Sequence, residues 1–318
     1  MKTLNQYIEE KLIINRNTNI TRYHPKTNEE LRKLVKQLIE ERGDDADLND
    51  IDTSEITDMS HLFAPFSNFT GDISMWNVSN VRSMQSMFYY SEFNGDISGW
   101  DVGKVTNMWG MFRKSKFNGD ISKWNVSNVE DMRNMFERSE FNCDLNKWNI
   151  SKVKDMQEMF MGSKFNGDIS DWNVSKITNM YAMFCNSEFN NDISKWDVSN
   201  VENMSHMFSR SKFNGDISLW KVNSVNKMMS MFKKSKFNGD ISKWNVSNVR
   251  SMESMFEEAE FNQDVSNWDV SNVEDMSCMF ESSKFNNDIS GWDVSNVRKK
   301  TKMFYGCQIK AKYKPKFN

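Results

Sequence analysis

Cysteine, histidine and long apolar runs are all scarce in this chain, and each scarcity closes off a class of function. Only four cysteines occur in 318 residues, Cys143, Cys185, Cys278 and Cys307. They fall at four different places in the repeat described below, so none lies above another, and reduced thiols in a reducing compartment are expected rather than a disulfide framework. Three histidines, His24, His61 and His206, at unrelated repeat positions, offer no metal-ligand spacing. No apolar run approaches the roughly 20 residues that span a bilayer, and residues 1–15 lack the continuous apolar stretch of a secretory signal. The expectation is a cytoplasmic or virion-associated protein. Neither sign of charge prevails, with 41 basic against 44 acidic residues and a net charge of −3. That balance gives no electrostatic footprint for nucleic acid or an anionic membrane. No nucleophile–base–orienter set and no Gly-rich phosphate loop can be assembled, so neither enzymatic activity nor a cofactor is expected.

Against a polar background (mean hydropathy −0.71) stand 24 Met, 23 Phe and 11 Trp. Their arrangement is periodic. Ten tryptophans from Trp76 to Trp292 follow one another at steps of 24, and Phe69 to Phe285 keep the same step. The consensus F-N-G-D-I-S-x-W-N/D-V-S-N-V-x-x-M-x-x-M-F-x-x-S-E/K implies equivalent stacked turns, none able to bury its apolar face alone. Within one turn, Ile121 to Val126 mixes alternation with β-branched and aromatic residues, which predicts a short strand. Val129, Met132, Met135 and Phe136 are spaced as a helical or 3₁₀ face. Together these predict a leucine-rich-repeat-like solenoid of ten 24-residue turns, each a short parallel β-strand plus a helical or 3₁₀ segment, rising about 4.8 Å per turn. The Asn-Gly-Asp step predicts a tight turn with positive φ at Gly, a seat that Cys143, Asn191, Gln263 and Asn287 fill in single repeats.

The block W-[ND]-V-S-N-V-x-x-M-x-x-M-F resembles the repeat of BspA-type leucine-rich-repeat surface proteins, the mycoplasma-type repeat of unknown function. The match spans about residues 51–309 and recurs ten times. The resemblance implies a right-handed solenoid with an adhesion or protein-interaction role at a cell surface, and no chemistry.

Four segments are expected: residues 1–19, a short amphipathic helix or docking peptide resembling leader segments of tailed-phage gene products; a helical cap at 20–50; the repeat solenoid at 51–309; and a basic tail at 310–318. Thr27-Asn28-Glu29-Glu30 is a capping box, Leu31, Leu34, Val35, Leu38 and Ile39 form an apolar stripe, and Gly43 ends it, so the α-helical N-terminal cap runs over 27–42.

Equivalent positions can be read down columns. The residues before the repeat Phe run from Glu92 through Lys116, Glu140, Lys164, Glu188, Lys212, Lys236 and Glu260 to Lys284, alternating in sign at seven of eight steps; this predicts a register-setting ion ladder. The column Asp72 to Asp288 places ten carboxylates in a row, expected to serve Asx turns, with a row of calcium sites as the alternative. Sequons such as Asn77 and Asn125 read as by-products of the repeat, and Met pairs such as Met84 and Met87 as core filler. One column varies freely: Gln85, Trp109, Arg133, Gln157, Tyr181, Ser205, Met229, Glu253 and Ser277. It lies between two core Met columns and is expected to be exposed. Trp109, Tyr181 and Met229, with Arg113, Arg133 and His206 nearby, are residue types that anchor interfaces and form the candidate partner-binding set. The expected function is a non-enzymatic protein- or glycan-binding module. The alternative is a structural rod that self-associates end to end or decorates a viral particle.

Overall fold

The computed structural model describes residues 21–317; the segment expected at 1–19 lies outside them. Helix α1, Asn28–Arg42, opens where Thr27 accepts the Glu30 N–H through its hydroxyl (3.1 Å) and the Lys26 N–H reaches back to the Glu30 carboxylate (2.7 Å). It closes at Gly43, whose φ of 93° and N–H bond to the Ile39 carbonyl stop the ladder. Leu31, Val35, Leu38 and Ile39 are buried. Asn28 ties the start of α1 to the first repeat by accepting the N–H groups of Thr57 and Asp58 at 3.2 Å.

Beyond α1 the chain is a repeat protein in which each 24-residue unit lies against the next. Parallel bridges run Asp58 to Ser83, Asn107 and Asp131, and again from Asp155 through Asn179, Asn203, Lys227, Ser251 and Asp275 to Lys299. The expected short strand does not form. In the segment starting at Ile121, Asp120 accepts the Ser122 N–H through its carboxylate (2.9 Å) and the Trp124 N–H bonds the Ile121 carbonyl (3.1 Å). These local bonds curl the backbone into a turn, an alternative that Asp and Ser offer in place of a ladder.

The expected helical segment does not form either. Asn134 and Arg138 sit at φ of 58° and 53°, and the Asn134, Phe136 and Arg138 N–H groups donate to Gln157, Met159 and Met161 of the following repeat. A right-handed helix tolerates no such left-handed residues and needs those donors for itself. The i, i+3, i+7 apolar spacing is instead served by successive tight turns, such as Met135 N–H to Met132 carbonyl at 3.2 Å, which return Met132, Met135 and Phe136 to the same interior.

The left-handed seats recur in every repeat and are mostly filled by residues other than glycine. Each such residue costs roughly 1–2 kcal/mol of backbone strain. Arg210, exposed with φ of 56°, is therefore expected to gain about 1 kcal/mol on Arg210→Gly and to lose stability on Arg210→Val, the β-branched side chain crowding a left-handed backbone. Chemical denaturation of the two variants beside the parent would show both signs; two losses would contradict this account.

Glycine in the Asn-Gly-Asp step has a different reason from the one expected. Gly95, Gly119 and Gly239 do not have positive φ; a Cβ on each would lie 2.8–2.9 Å from the ring of the Phe two residues before it. Cys143, Asn191 and Asn287, which fill this seat in single repeats, bond backward to the preceding repeat: the Asn287 amide donates to the Asn262 carbonyl at 2.9 Å.

Two columns of phenylalanine and one of tryptophan form the interior. Phe136 stacks on Phe112 and Phe160 at ring-centroid distances of 5.8 and 5.6 Å and on Phe141 of its own strip at 4.4 Å. Each Trp is almost fully buried and spends its indole N–H on the preceding repeat, as Trp124 does on the Ile97 carbonyl at 3.1 Å. A further ladder runs through asparagine: the Asn94 side-chain carbonyl accepts the Asn118 N–H, Asn118 that of Asn142, and Asn190 that of Asn214, each at 2.8 Å.

Candidate functional site

The variable column is seated by the residue two positions earlier. Asn107, Asp131 and Asn179, the bridge residues, accept the N–H groups of Trp109, Arg133 and Tyr181 at 2.9, 3.1 and 3.1 Å. The backbone at these seats is thus held by its own Asx bond while the side chain is free to differ. The column is less exposed than expected. Gln85, Trp109, Arg133, Gln157, Tyr181, Glu253 and Ser277 are half-buried, Ser205 is buried, and Met229 alone reaches the exposed class at 38%. Long side chains from adjacent repeats lie along one another at this spacing and shield one another's stems.

Five of the six candidate residues fall into two groups rather than one pocket, and Trp109 is held by its bond to Asn107. In the first, Arg113 turns toward Glu137 of the next repeat. Its Nη2 donates to Oε1 at 3.3 Å, and its Nε lies 2.5 Å from Oε2 without the alignment of a hydrogen bond. Glu137 is 1% exposed, and the Asn134 amide also donates to it at 2.9 Å. The Arg113 guanidinium stands 5.7 Å from the Tyr89 ring centroid. Arg133 folds onto Asp131 of its own repeat at 3.0 and 2.6 Å, which raises the guanidinium pKa through that hydrogen bond.

In the second group, the His206 ring meets the Tyr181 ring edge-on at 5.5 Å, and the His206 backbone N–H donates to the Met229 backbone carbonyl at 2.8 Å. Burial, with Lys233 adding to it, pushes the His206 pKa down; burial and the nearby Glu158 push the Tyr181 phenol up. Both shifts favour the neutral form of the group. Beside Met229 a surface cavity of about 520 Å³ opens, lined by Ser205, Asn226, Lys227, Met229, Arg250 and Ser251. Its surface is mostly apolar, and Lys227 and Arg250 are among the residues that line it.

His61 and His206 are not at unrelated positions. Both occupy the left-handed seat after the variable column, at φ of 58° and 60°, because the first repeat is one residue longer and shifts His61 against the 24-residue count. Glu137 and Tyr89 were absent from the candidate set. Reading the column Tyr89, Arg113, Glu137 would have found them, since Arg directly above Glu at one period is a pairing signal.

The aspartate column is built on local bonds: Asp96, Asp192, Asp216 and Asp240 each accept a Ser N–H two residues on, at 2.8–2.9 Å. These bonds hold their carboxyl pKa values below the ordinary range despite like-charged neighbours. Among the described residues no group of three or more His, Cys, Asp or Glu is placed to hold a metal ion. In the Glu/Lys column, Lys116 and Lys164 both reach Glu140, at 3.4 and 2.5 Å, and Lys212–Glu188 and Lys284–Glu260 also pair. These are exposed pairs, each worth roughly 0.2–1 kcal/mol.

No described helix is long and apolar enough to cross a membrane. A sequence model described as "Mycoplasma protein of unknown function, DUF285" matches residues 30–142, 137–236 and 209–316. No curated protein and no solved structure shows significant similarity to the chain.

Proposed function

Because the chain belongs to the DUF285 family, described as Mycoplasma protein of unknown function, we propose that it is a non-enzymatic recognition module: a leucine-rich-repeat-like solenoid of the BspA type whose variable column binds a protein or a glycan. The observation that carries this reading is the contrast between columns. Phe, Trp, Val and Met recur at the buried positions, while the seats from Gln85 to Ser277 hold Gln, Trp, Arg, Tyr, Ser, Met and Glu on backbone of one form. A seat freed from packing can change its side chain without disturbing the fold, which is what a recognition surface requires.

The aromatic and arginine content of the face suits interface anchors, and the half-burial of Trp109 and Tyr181 suits it further. A side chain already ordered by its neighbours loses less conformational entropy on binding. The edge-on contact of Tyr181 with His206 and the cavity beside Met229 give a protein loop or a sugar ring one place to enter.

The test begins with a glycan array and a displayed library of extracellular protein domains, probed with the parent chain. A ligand so identified is then titrated against Trp109→Ala with Tyr181→Ala. Truncating interface anchors costs about 1–2 kcal/mol each, so the pair should weaken binding at least about tenfold. Unchanged affinity in a variant that melts like the parent removes this face from the proposal.

A further inference from the structure

The two ends of the repeat stack carry opposite charge, although the chain as a whole is near neutral. Residues 298–316 contain eight Lys or Arg and no acid, whereas residues 40–58 contain nine Asp or Glu and a single Arg. The basic tail expected at 310–318 lies against the last repeat. The Ile289 N–H donates to the Tyr313 carbonyl at 3.0 Å, and the Lys310 N–H to the Asn286 side chain at 3.1 Å. This folds the last segment over the final repeat, where Pro315 is buried.

The lysines of this segment ride on aromatic rings. Lys314 stands 5.2 Å from the ring of Phe304, the last of the stacked phenylalanines, Lys300 stands 4.3 Å from Phe317, and Lys312 stands 5.0 Å from Tyr313. Arg298, Lys299 and Lys302 are spent on Glu274, Asp275 and Glu281. Lys300, Lys310, Lys312 and Lys316 are exposed, and among the described residues none of them pairs with a carboxylate. With Tyr305 at 66% exposure beside them, the end is cationic and aromatic at once.

The opposite end has the complementary excess. Glu40, Asp50, Asp52, Glu55 and Asp58 are in contact with Lys36, Arg42, His24, Lys26 and Arg32, which leaves Glu41, Asp44, Asp45 and Asp47 exposed and without an ion pair among the described residues at the C-terminus of α1, where the helix dipole already places negative charge and disfavours more of it. Arg42, the one basic residue of that turn, is committed to Asp50 in a two-point contact at 3.1 and 2.9 Å. Each end thus holds uncompensated charge that the other could neutralise.

We propose that the basic, aromatic end of one chain docks on the acidic end of a second copy, head to tail. The contact is heterologous, so it leaves one free end of each kind and extends into short filaments instead of closing as a dimer. It uses surfaces distinct from the variable column and leaves that face open in every copy. A nucleic acid or an anionic membrane would satisfy only the basic end; the second copy satisfies both.

Sedimentation velocity of the full 318-residue chain, at about 25 mM and about 500 mM salt, is the test, because exposed charge pairs are screened over that range. Species larger than the monomer are expected to grow with concentration at low salt and to vanish at high salt. A basic-end variant, Lys310→Glu with Lys312→Glu and Lys316→Glu, should be monomeric. So should an acidic-end variant, Glu41→Lys with Asp44→Lys and Asp45→Lys. Mixed together, the two should associate again, because the native basic end of the acidic-end variant still meets the native acidic end of the basic-end variant. A parent that stays monomeric at low salt overturns the proposal. So does a mixture that shows no complex, or a basic end that binds single-stranded nucleic acid or anionic vesicles while the chain stays monomeric.

Discussion

Phe160→Ala is expected to destabilise the protein by about 3–5 kcal/mol and to divide its unfolding into two steps. Phe160 is fully buried in the middle of the stack, with Phe136 at 5.6 Å on one side, Phe184 at 5.8 Å on the other, Phe165 at 4.2 Å and Trp172 at 6.2 Å. Removing the ring opens a cavity that no neighbour can fill, because each adjacent ring is held in its own column by its own repeat. In a linear array each unit contacts only its neighbours, so the loss falls on two consecutive interfaces and weakens the coupling between the halves. Urea unfolding followed by tryptophan fluorescence and by circular dichroism would show the two signals separating. A single coincident transition shifted by less than about 1 kcal/mol would contradict this account.

Breaking the Arg113–Glu137 pair comes next in size. Glu137 is 1% exposed, and with Arg113→Met it keeps the Asn134 amide at 2.9 Å and the Arg138 guanidinium at 3.7 Å. Leaving one charge of a buried pair without its partner costs about 3–5 kcal/mol. The remaining Arg138 guanidinium and the partial exposure of Arg113, 28%, place the expected loss at or below about 3 kcal/mol. Arg113→Met with Glu137→Met should recover most of it, since the next residue of the same column is already Met161 and replacing both members of a buried pair is often neutral. Four-point thermal melts at neutral pH measure the coupling. If the double variant is as unstable as the single one, the loss comes from packing and not from an orphaned carboxylate.

The columns themselves were legible from residue spacing. Trp at every 24th position has no explanation other than equivalent environments, and the near-complete burial of Phe, Met, Val and Trp follows from it. The start of α1 was legible for a local reason: Thr27 and Glu30 act across a single turn, so their effect needs no distant partner. The path of the backbone within a repeat was not legible. The spacing of Val129, Met132, Met135 and Phe136 fits a helix, yet a chain of tight turns with every second one left-handed presents the same residues inward. Periodicity reports which side chains are buried, not which backbone brings them there.

The candidate site divides in the same way. Its variable column could be picked out because it departs from the repeat. Its division into a Tyr181–His206–Met229 group and a separate Arg113–Glu137 group depends on which side chains reach across one repeat, a matter of rotamer and local neighbours.

By itself, the sequence determined the repeat length, the interior columns, the capping helix and the variable seats, because each rests on identity recurring at a fixed interval or on a bond within one turn. Only the tertiary structure decided that the backbone N–H groups go to the next repeat and not to a helix or an extended strand. Parallel bridges and left-handed seats form together only when a neighbouring repeat supplies the acceptors, and no single repeat contains that neighbour.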